Sequence, residues 1–264
     1  MVPFKISPNP NLLYITPTIH GFIEKIRFTI SERQGLSLIL GDNGMGKSSI
    51  MRYLLAEYGA EGYSVGLLDH TEFPSPYAML KTICAQFGVD AKRSQVAQLV
   101  ALSEWLIQEF KAGRTVILFI DEGQRITAEL LEVVRSLLNF ETYEDKLLQI
   151  VLAGTLELLD RINAKRNKAL RSRIFAPCML NPLSPGETAA MIQFRCDRAG
   201  IVNPFPADAC ERIFKLSQGV PRRALILCAH AWHMATVMKL DKVYAELIEA
   251  AAAEASLPDQ EAVA

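Results

Sequence analysis

Along the first half of the chain, short and nearly unbroken apolar runs alternate with longer stretches in which apolar residues return at helical spacing. Residues 35–40, 63–68, 115–120 and 147–153 form the short runs. Continuous apolarity over that length suits strands covered on both faces, as in a parallel sheet. Residues 47–58, 77–87, 95–111 and 128–140 repeat near 3.6 and predict the intervening helices. Strand and helix in alternation predict an α/β fold with a doubly wound parallel sheet. After Asn181-Pro-Leu-Ser-Pro-Gly186 the strand-like runs stop, and residues 187–199, 206–217, 221–239 and 241–253 predict a small helical domain. Pro182 and Pro185 mark the boundary, because each disfavours helix at the residue before it and lacks a donor. Ser184 followed by Glu187 predicts a capping box at the next helix. The expected organisation is a sheet domain over 1–181, a helical domain over 182–255 and a disordered tail over 256–264.

Composition narrows the class. Half of the 264 residues are hydrophobic and 22% are charged, the balance of an ordinary globular protein and not of a disordered or fibrous one. A net charge of −1 provides no overall pull toward nucleic acid or an acidic membrane, so any nucleic-acid contact needs a local patch. One exists: Arg161, Lys165, Arg166, Lys168, Arg171 and Arg173 crowd thirteen residues. That run reads as a solvated helix face, a DNA-phosphate contact or a subunit-interface cluster. The five cysteines are odd in number and form no C-x-x-C pair, which suits reduced thiols in a cytosol and predicts neither a disulfide framework nor zinc. His230 and His233 are three apart without a third ligand nearby and read as core or helix-surface residues. The longest apolar stretch, 224–238, carries both histidines and falls short of the ~20 residues a bilayer requires. Met1-Val-Pro-Phe-Lys5 lacks the features of a leader, so the expected location is cytoplasmic, without membrane insertion.

The chemistry is concentrated at strand ends. Gly41-Asp-Asn-Gly-Met-Gly46-Lys47-Ser48 fits G-x-x-x-x-G-K-[ST] and stands between a predicted strand and a predicted helix. Its glycines allow consecutive N–H groups to converge on a phosphate, and the helix adds its positive end. Gly41, Asn43, Gly44, Met45, Gly46, Lys47, Ser48 and Ser49 are therefore the expected nucleotide contacts, with Lys47 on the β- and γ-phosphates and Ser48 on Mg²⁺. The run 116–120 ends in Asp121-Glu122, the two acids of a Walker B element. Asp121 is the metal-side acid and Glu122 the water-side one, so hydrolysis is expected as well as nucleotide binding. Thr155 follows Ala153-Gly154 at the end of the fourth run, where its hydroxyl either orients water or caps the helix 156–162. Arg171 and Arg173, and Arg222 and Arg223, are two further pairs with either surface or site roles. Tyr14 reads as a core aromatic or an adenine contact.

With these motifs on a P-loop domain followed by a small helical domain whose penultimate helix opens with Gly-x-Pro-Arg, the chain resembles AAA+ ATPases. More closely it resembles the ExeA-type ATPases, related to the transposition regulators TnsC, MuB and TniB. The matching stretches include Pro3-Phe4, Pro8-Asn-Pro10, Leu13-Tyr14, Asp121-Glu-Gly-Gln124, Leu138-Asn-Phe-Glu-Thr142, Lys146 to Gly154, Leu170 to Ile174 and Gly219-Val-Pro-Arg-Arg223. The resemblance implies that Thr155 occupies the sensor 1 position, where the family usually has glutamine. It implies that Arg173, with Arg171 as its competitor, is offered in trans to a neighbour's nucleotide, and that Arg222 is sensor 2. It also implies a homo-oligomer, a ring or filament with ATP at subunit boundaries. Two kinds of partner follow: duplex DNA with a transposase, or a protein partner in secretion or envelope assembly. Secretion-linked members continue into a membrane helix and a peptidoglycan-binding module, and finding neither before Ala264 tilts the expectation toward DNA and transposition.

Overall fold

A computed structural model describes residues 3–255; the tail expected over 256–264 lies outside the described residues. The sheet has five parallel strands, β1 (Leu36–Leu40), β2 (Ser64–Leu68), β3 (Val116–Ile120), β4 (Leu148–Gly154) and β5 (Ile174–Met179), in the order β2-β3-β4-β1-β5. Every residue of β1, β3 and β4 is buried, which is why their sequences are apolar without alternation. Seven helices accompany the sheet: α1 (Pro17–Ser31), α2 (Lys47–Ala60), α3 (Pro76–Gln86), α4 (Gln95–Lys111), α5 (Ala128–Leu137), α6 (Leu156–Asn163) and the single turn α7 (Lys168–Arg171). Side chains alternate across a strand, so Leu38, Leu118 and Ile150 join the core formed with α3, α4, α5 and α6. The opposite face is left to α1 and α2, whose buried Ile23, Ile26, Ile50 and Leu54 cover it. The doubly wound reading therefore holds.

Two elements have no counterpart in the sequence reading. β5 contains Pro177, which argues against a strand; here the strand is at the sheet edge, where a missing N–H removes no ladder bond. A register shift opposite Leu36 and Ser37 leaves Phe175 extra and exposed, and its ring stacks on Phe28 of α1 at 6.1 Å. The buried apolar positions of α1, Ile23, Ile26 and Ile30, have helical spacing, but Gly21 and several β-branched residues dilute the signal.

The second unit comprises residues 181–255 together with residues 3–16 and Gly44–Gly46. Its helices are α8 (Pro185–Ala199), α9 (Ala207–Ser217), α10 (Pro221–Val237) and α11 (Ala245–Ala255). The Ser184–Glu187 capping box forms in both directions. Small residues in the core, including Ala209, Ala224, Cys228 and Ala231, let these helices approach closely. Phe4 meets Phe205 edge-on at 5.4 Å and Trp232 at 6.0 Å, so the N-terminal segment supplies part of that core. Arg195 is buried beneath the same segment and donates to the Lys5 carbonyl at 3.0 Å; desolvation pushes its guanidinium down to about 10. Leu183 donates its N–H to the Gly219 carbonyl, and at Gly219 (φ +71°) a β-carbon would stand 2.1 Å from the Leu183 oxygen. All five cysteines are buried thiols. Among the described residues no helix is long and apolar enough to cross a membrane.

Candidate functional site

Strand order determines what meets what. β4 lies between β1 and β3, with Leu40 opposite Gly154 and Ile120 opposite Leu152. The segments leaving β1, β3 and β4 therefore emerge side by side at the carboxyl edge of the sheet, where ligands of open α/β sheets bind. They carry Gly41, Asp121 and Thr155 respectively.

The loop after β1 leads directly into α2, which begins at Lys47. Lys47 is nearly buried, and its Nζ donates to the carbonyls of Gly41 at 2.8 Å and Asp42 at 3.0 Å, so the ammonium is held over the loop that precedes it. Gly41 and Met45 are buried, Ser48 and Ser49 half-buried and Asn43 exposed. Gly44 has φ +85° and packs so closely that a β-carbon there would be 2.9 Å from Arg222 Cβ. Its carbonyl accepts the Arg222 N–H at 3.2 Å, while the Arg222 side chain is exposed at the head of α10.

Asp121 is 9% exposed, and its Oδ1 accepts the N–H of Glu122 at 2.8 Å. Glu122 has φ +54° and ψ +35°, a left-handed conformation uncommon outside glycine. Strain of that kind costs roughly 1–3 kcal/mol and concentrates at functional positions. Thr71, fully buried, donates its hydroxyl to the Glu122 carbonyl at 3.0 Å. The Glu122 carboxylate accepts from Gln124 Nε2 at 2.6 Å and lies 3.7 Å from Arg125 Nε. A carboxylate and a hydroxyl, Asp121 and Ser48, are hard oxygen donors of the kind Mg²⁺ prefers alongside phosphate and water.

Thr155 occupies the position before α6, yet its side chain makes no capping bond. The capping alternative is thus not realised, because Oγ1 is turned inward: it is buried and has no hydrogen-bond partner. A buried hydroxyl left without a partner costs about 1–3 kcal/mol. Its main-chain N–H donates to Gln124 Oε1 at 3.2 Å.

The basic run divides in two. Arg161 donates to the Ile126 carbonyl at 2.6 Å and Arg173 to the Arg135 carbonyl at 2.8 Å, so both are tied to their own chain. Lys165, Arg166, Lys168 and Arg171 are exposed. Tyr14 is half-buried and packs on Phe194 at 5.7 Å, a ring that Arg198 covers from another side. His230 and His233 are exposed on α10, and His230 lies 3.7 Å from Glu254. Sequence reasoning assigned no role to Thr71 or Gln124, since both act through contacts that only the folded chain creates.

Residues 30–162 match the family model described as AAA domain. General secretion pathway protein A of Aeromonas hydrophila is 31% identical over 232 residues, which are 87% of this chain and 42% of that protein. The chain therefore spans less than half the length of that relative. Among solved structures, Cdc6p from Pyrobaculum aerophilum has a TM-score of 0.71 at 14% identity, covering 99% of this chain and 72% of its own. The Aeropyrum pernix ORC2 protein, in ADPNP–ADP complexes, has a TM-score of 0.69 at 18% identity, with 98% and 73% covered. At these identities the two structures bear on the fold alone.

Proposed function

The chain belongs to the AAA domain family, and from that premise we propose that it binds ATP with Mg²⁺ at the loop 41–49 and hydrolyses it to ADP and phosphate. The observation that carries this reading is the meeting of three strand ends, which puts the Lys47 loop, Asp121-Glu122 and the unpartnered Thr155 hydroxyl along one edge of the sheet.

Lys47 exchanges its carbonyl contacts for the β- and γ-phosphates, a stronger, charge-assisted pairing. Asp121 and Ser48 would hold Mg²⁺, which when bound would neutralise phosphate charge. Glu122 orients the attacking water and accepts its proton as the γ-phosphoryl group leaves ADP. Thr155 directs its hydroxyl at the γ-phosphate or the water, and Arg222 is the sensor 2 residue. Arg171, exposed where Arg173 is tied down, is the better placed of the two to reach a neighbouring subunit's nucleotide. Subunits accordingly assemble as a ring or filament with ATP at their boundaries. Lys47→Ala tests the nucleotide site: equilibrium binding of labelled ATP should be lost, and tight binding by that variant contradicts the assignment.

The assembly acts on duplex DNA as a transposition regulator, and the support is the exposed set Lys165, Arg166 and Lys168 on a chain of net charge −1. With so few cations per subunit, useful affinity requires several subunits, and hence ATP. Fluorescence anisotropy with duplex DNA should show ATP-dependent binding that weakens steeply with salt, by about 0.9 log units per decade for each phosphate contacted. A second reading, a protein partner in secretion, is favoured by the 31% identity to General secretion pathway protein A. Absence of DNA binding in every nucleotide state supports that reading.

A further inference from the structure

Gln124 spans two parts of the site. Its Nε2 donates to the Glu122 carboxylate at 2.6 Å and its Oε1 accepts the Thr155 N–H at 3.2 Å, so one amide joins the acid after β3 to the residue after β4. A primary amide suits this arrangement because it offers a donor and an acceptor at opposite corners. The distance it bridges is fixed by close packing: a β-carbon at Gly123 would lie 2.9 Å from the Ala153 oxygen, and one at Gly154 would lie 3.2 Å from the Gln124 nitrogen. The two segments therefore pack closely. The Glu122 backbone is meanwhile held in its left-handed conformation with its carbonyl bonded to Thr71, so the carboxylate direction is decided within the side chain, by Gln124 on one side and Arg125 at 3.7 Å on the other. Thr155 completes the chain of contacts with a buried hydroxyl that no protein group satisfies.

We propose that Gln124 is a positioning residue that couples the Thr155 hydroxyl to the Glu122 carboxylate, so that engagement of a terminal phosphate at Thr155 sets the orientation of the acid that activates water. This rests on the ATPase reading above. When Thr155 Oγ1 gains a phosphate partner, the Thr155 main chain moves with it, and the amide transmits that movement to Glu122 through its two hydrogen bonds and the close approach of Gly123 to the Ala153 oxygen. ADP, which lacks the γ-phosphate, leaves the carboxylate in its resting direction. The Gln124 amide touches neither water nor phosphate; it acts through Glu122.

A double-mutant cycle on full-length protein tests the coupling, with Thr155→Val and Gln124→Met, both near-isosteric, and their combination. Steady-state turnover and ATP affinity are measured for each. Gln124→Met should lower kcat by about tenfold or more while ATP affinity stays within about twofold, because the amide is remote from the bound phosphates in role. Thr155→Val should likewise lower kcat in the wild-type background and have no further effect in the Gln124→Met background. Multiplicative losses in the double variant overturn the coupling, as does a Gln124→Met defect that appears in ATP affinity instead of kcat. If the wild type binds ATP without hydrolysing it, the ATPase reading fails, and ¹H–¹⁵N spectra then judge the bridge. The Gln124 side-chain amide, assigned by its disappearance in Gln124→Met, should shift on adding a slowly hydrolysed ATP analogue in wild type but not in Thr155→Val. An unchanged amide in wild type overturns the proposal.

Discussion

The Arg173 guanidinium donates to the main-chain carbonyl of Arg135 at 2.8 Å, in the last turn of α5. Carbonyls in that turn lack intrahelical partners, and a cation there also meets the negative end of the helix dipole. Arg173 thus caps a helix of its own chain, whereas Arg171, two residues earlier, is exposed. Arg171→Ala should keep ATP affinity and lose turnover by roughly 10³, the range of an arginine supplied in trans. Arg173→Ala should instead cost about 1 kcal/mol of stability, as loss of one hydrogen bond does. Mixing Arg171→Ala with Lys47→Ala subunits and assaying phosphate release checks the trans role; no recovery in co-assembled mixtures assigns Arg171 elsewhere.

Glu122 sits where glycine is the natural resident, at φ +54°. Glu122→Gly should unfold at equal or higher denaturant concentration than wild type, by up to about 1 kcal/mol, because the strain is relieved. Turnover should vanish in the same variant. A marked loss of stability would mean that the side-chain bonds to Gln124 and Arg125 outweigh the strain.

Glu109 on α4 is almost buried, and Arg114 donates to its carboxylate from Nε at 2.8 Å and from Nη2, with Ser64 adding a third bond at 2.5 Å. The Arg114 hydrogen bonds hold its carboxyl below the usual carboxylate range against the opposing effect of burial. A depressed folded-state pKa means stability that is complete above the unfolded value, about 4.3, and is lost as pH falls through the folded value. Glu109→Gln should therefore destabilise at pH 7 and lose most of that penalty in strong acid. Urea midpoints for both proteins across pH 3 to 7 measure the convergence; parallel profiles would remove Glu109 from the acid response.

Gly219 permits the mutual approach of residues 183 and 219 in the helical unit, where a β-carbon would overlap the Leu183 oxygen. Gly219→Ala combines that overlap with a positive φ and should destabilise by about 2–4 kcal/mol. Chemical denaturation of the variant reads this directly.

How much of this was legible in the sequence depends on whether a feature is local. The strands β1 to β4 and the loop 41–48 are readable because each is a contiguous pattern, although β2, at the sheet edge, is only partly buried. β5 was not: Pro177 breaks the strand signature, and only the strand order reveals that this is an edge. Asp121 and Glu122 were readable from their place at the end of an apolar run. The role of Gln124 was not, since its second bond reaches thirty-one residues along the chain to Thr155. A hydroxyl before a helix suits capping and sensing alike at Thr155; the inward rotation of Oγ1 decides against capping. The resemblance favours Arg173 over Arg171 as the trans arginine; the bond that ties Arg173 to the Arg135 carbonyl reaches thirty-eight residues along the chain and is not legible in the sequence.

The proposed hydrolysis rests on Glu122 activating water against ATP held by the Lys47 loop. Paired measurement of ATP affinity and phosphate release for wild type and Glu122→Gln tests it most directly. Equal affinity and a loss of turnover of about 10² or more are expected in the variant, because an amide cannot accept the proton. Turnover at the wild-type rate in Glu122→Gln would contradict it.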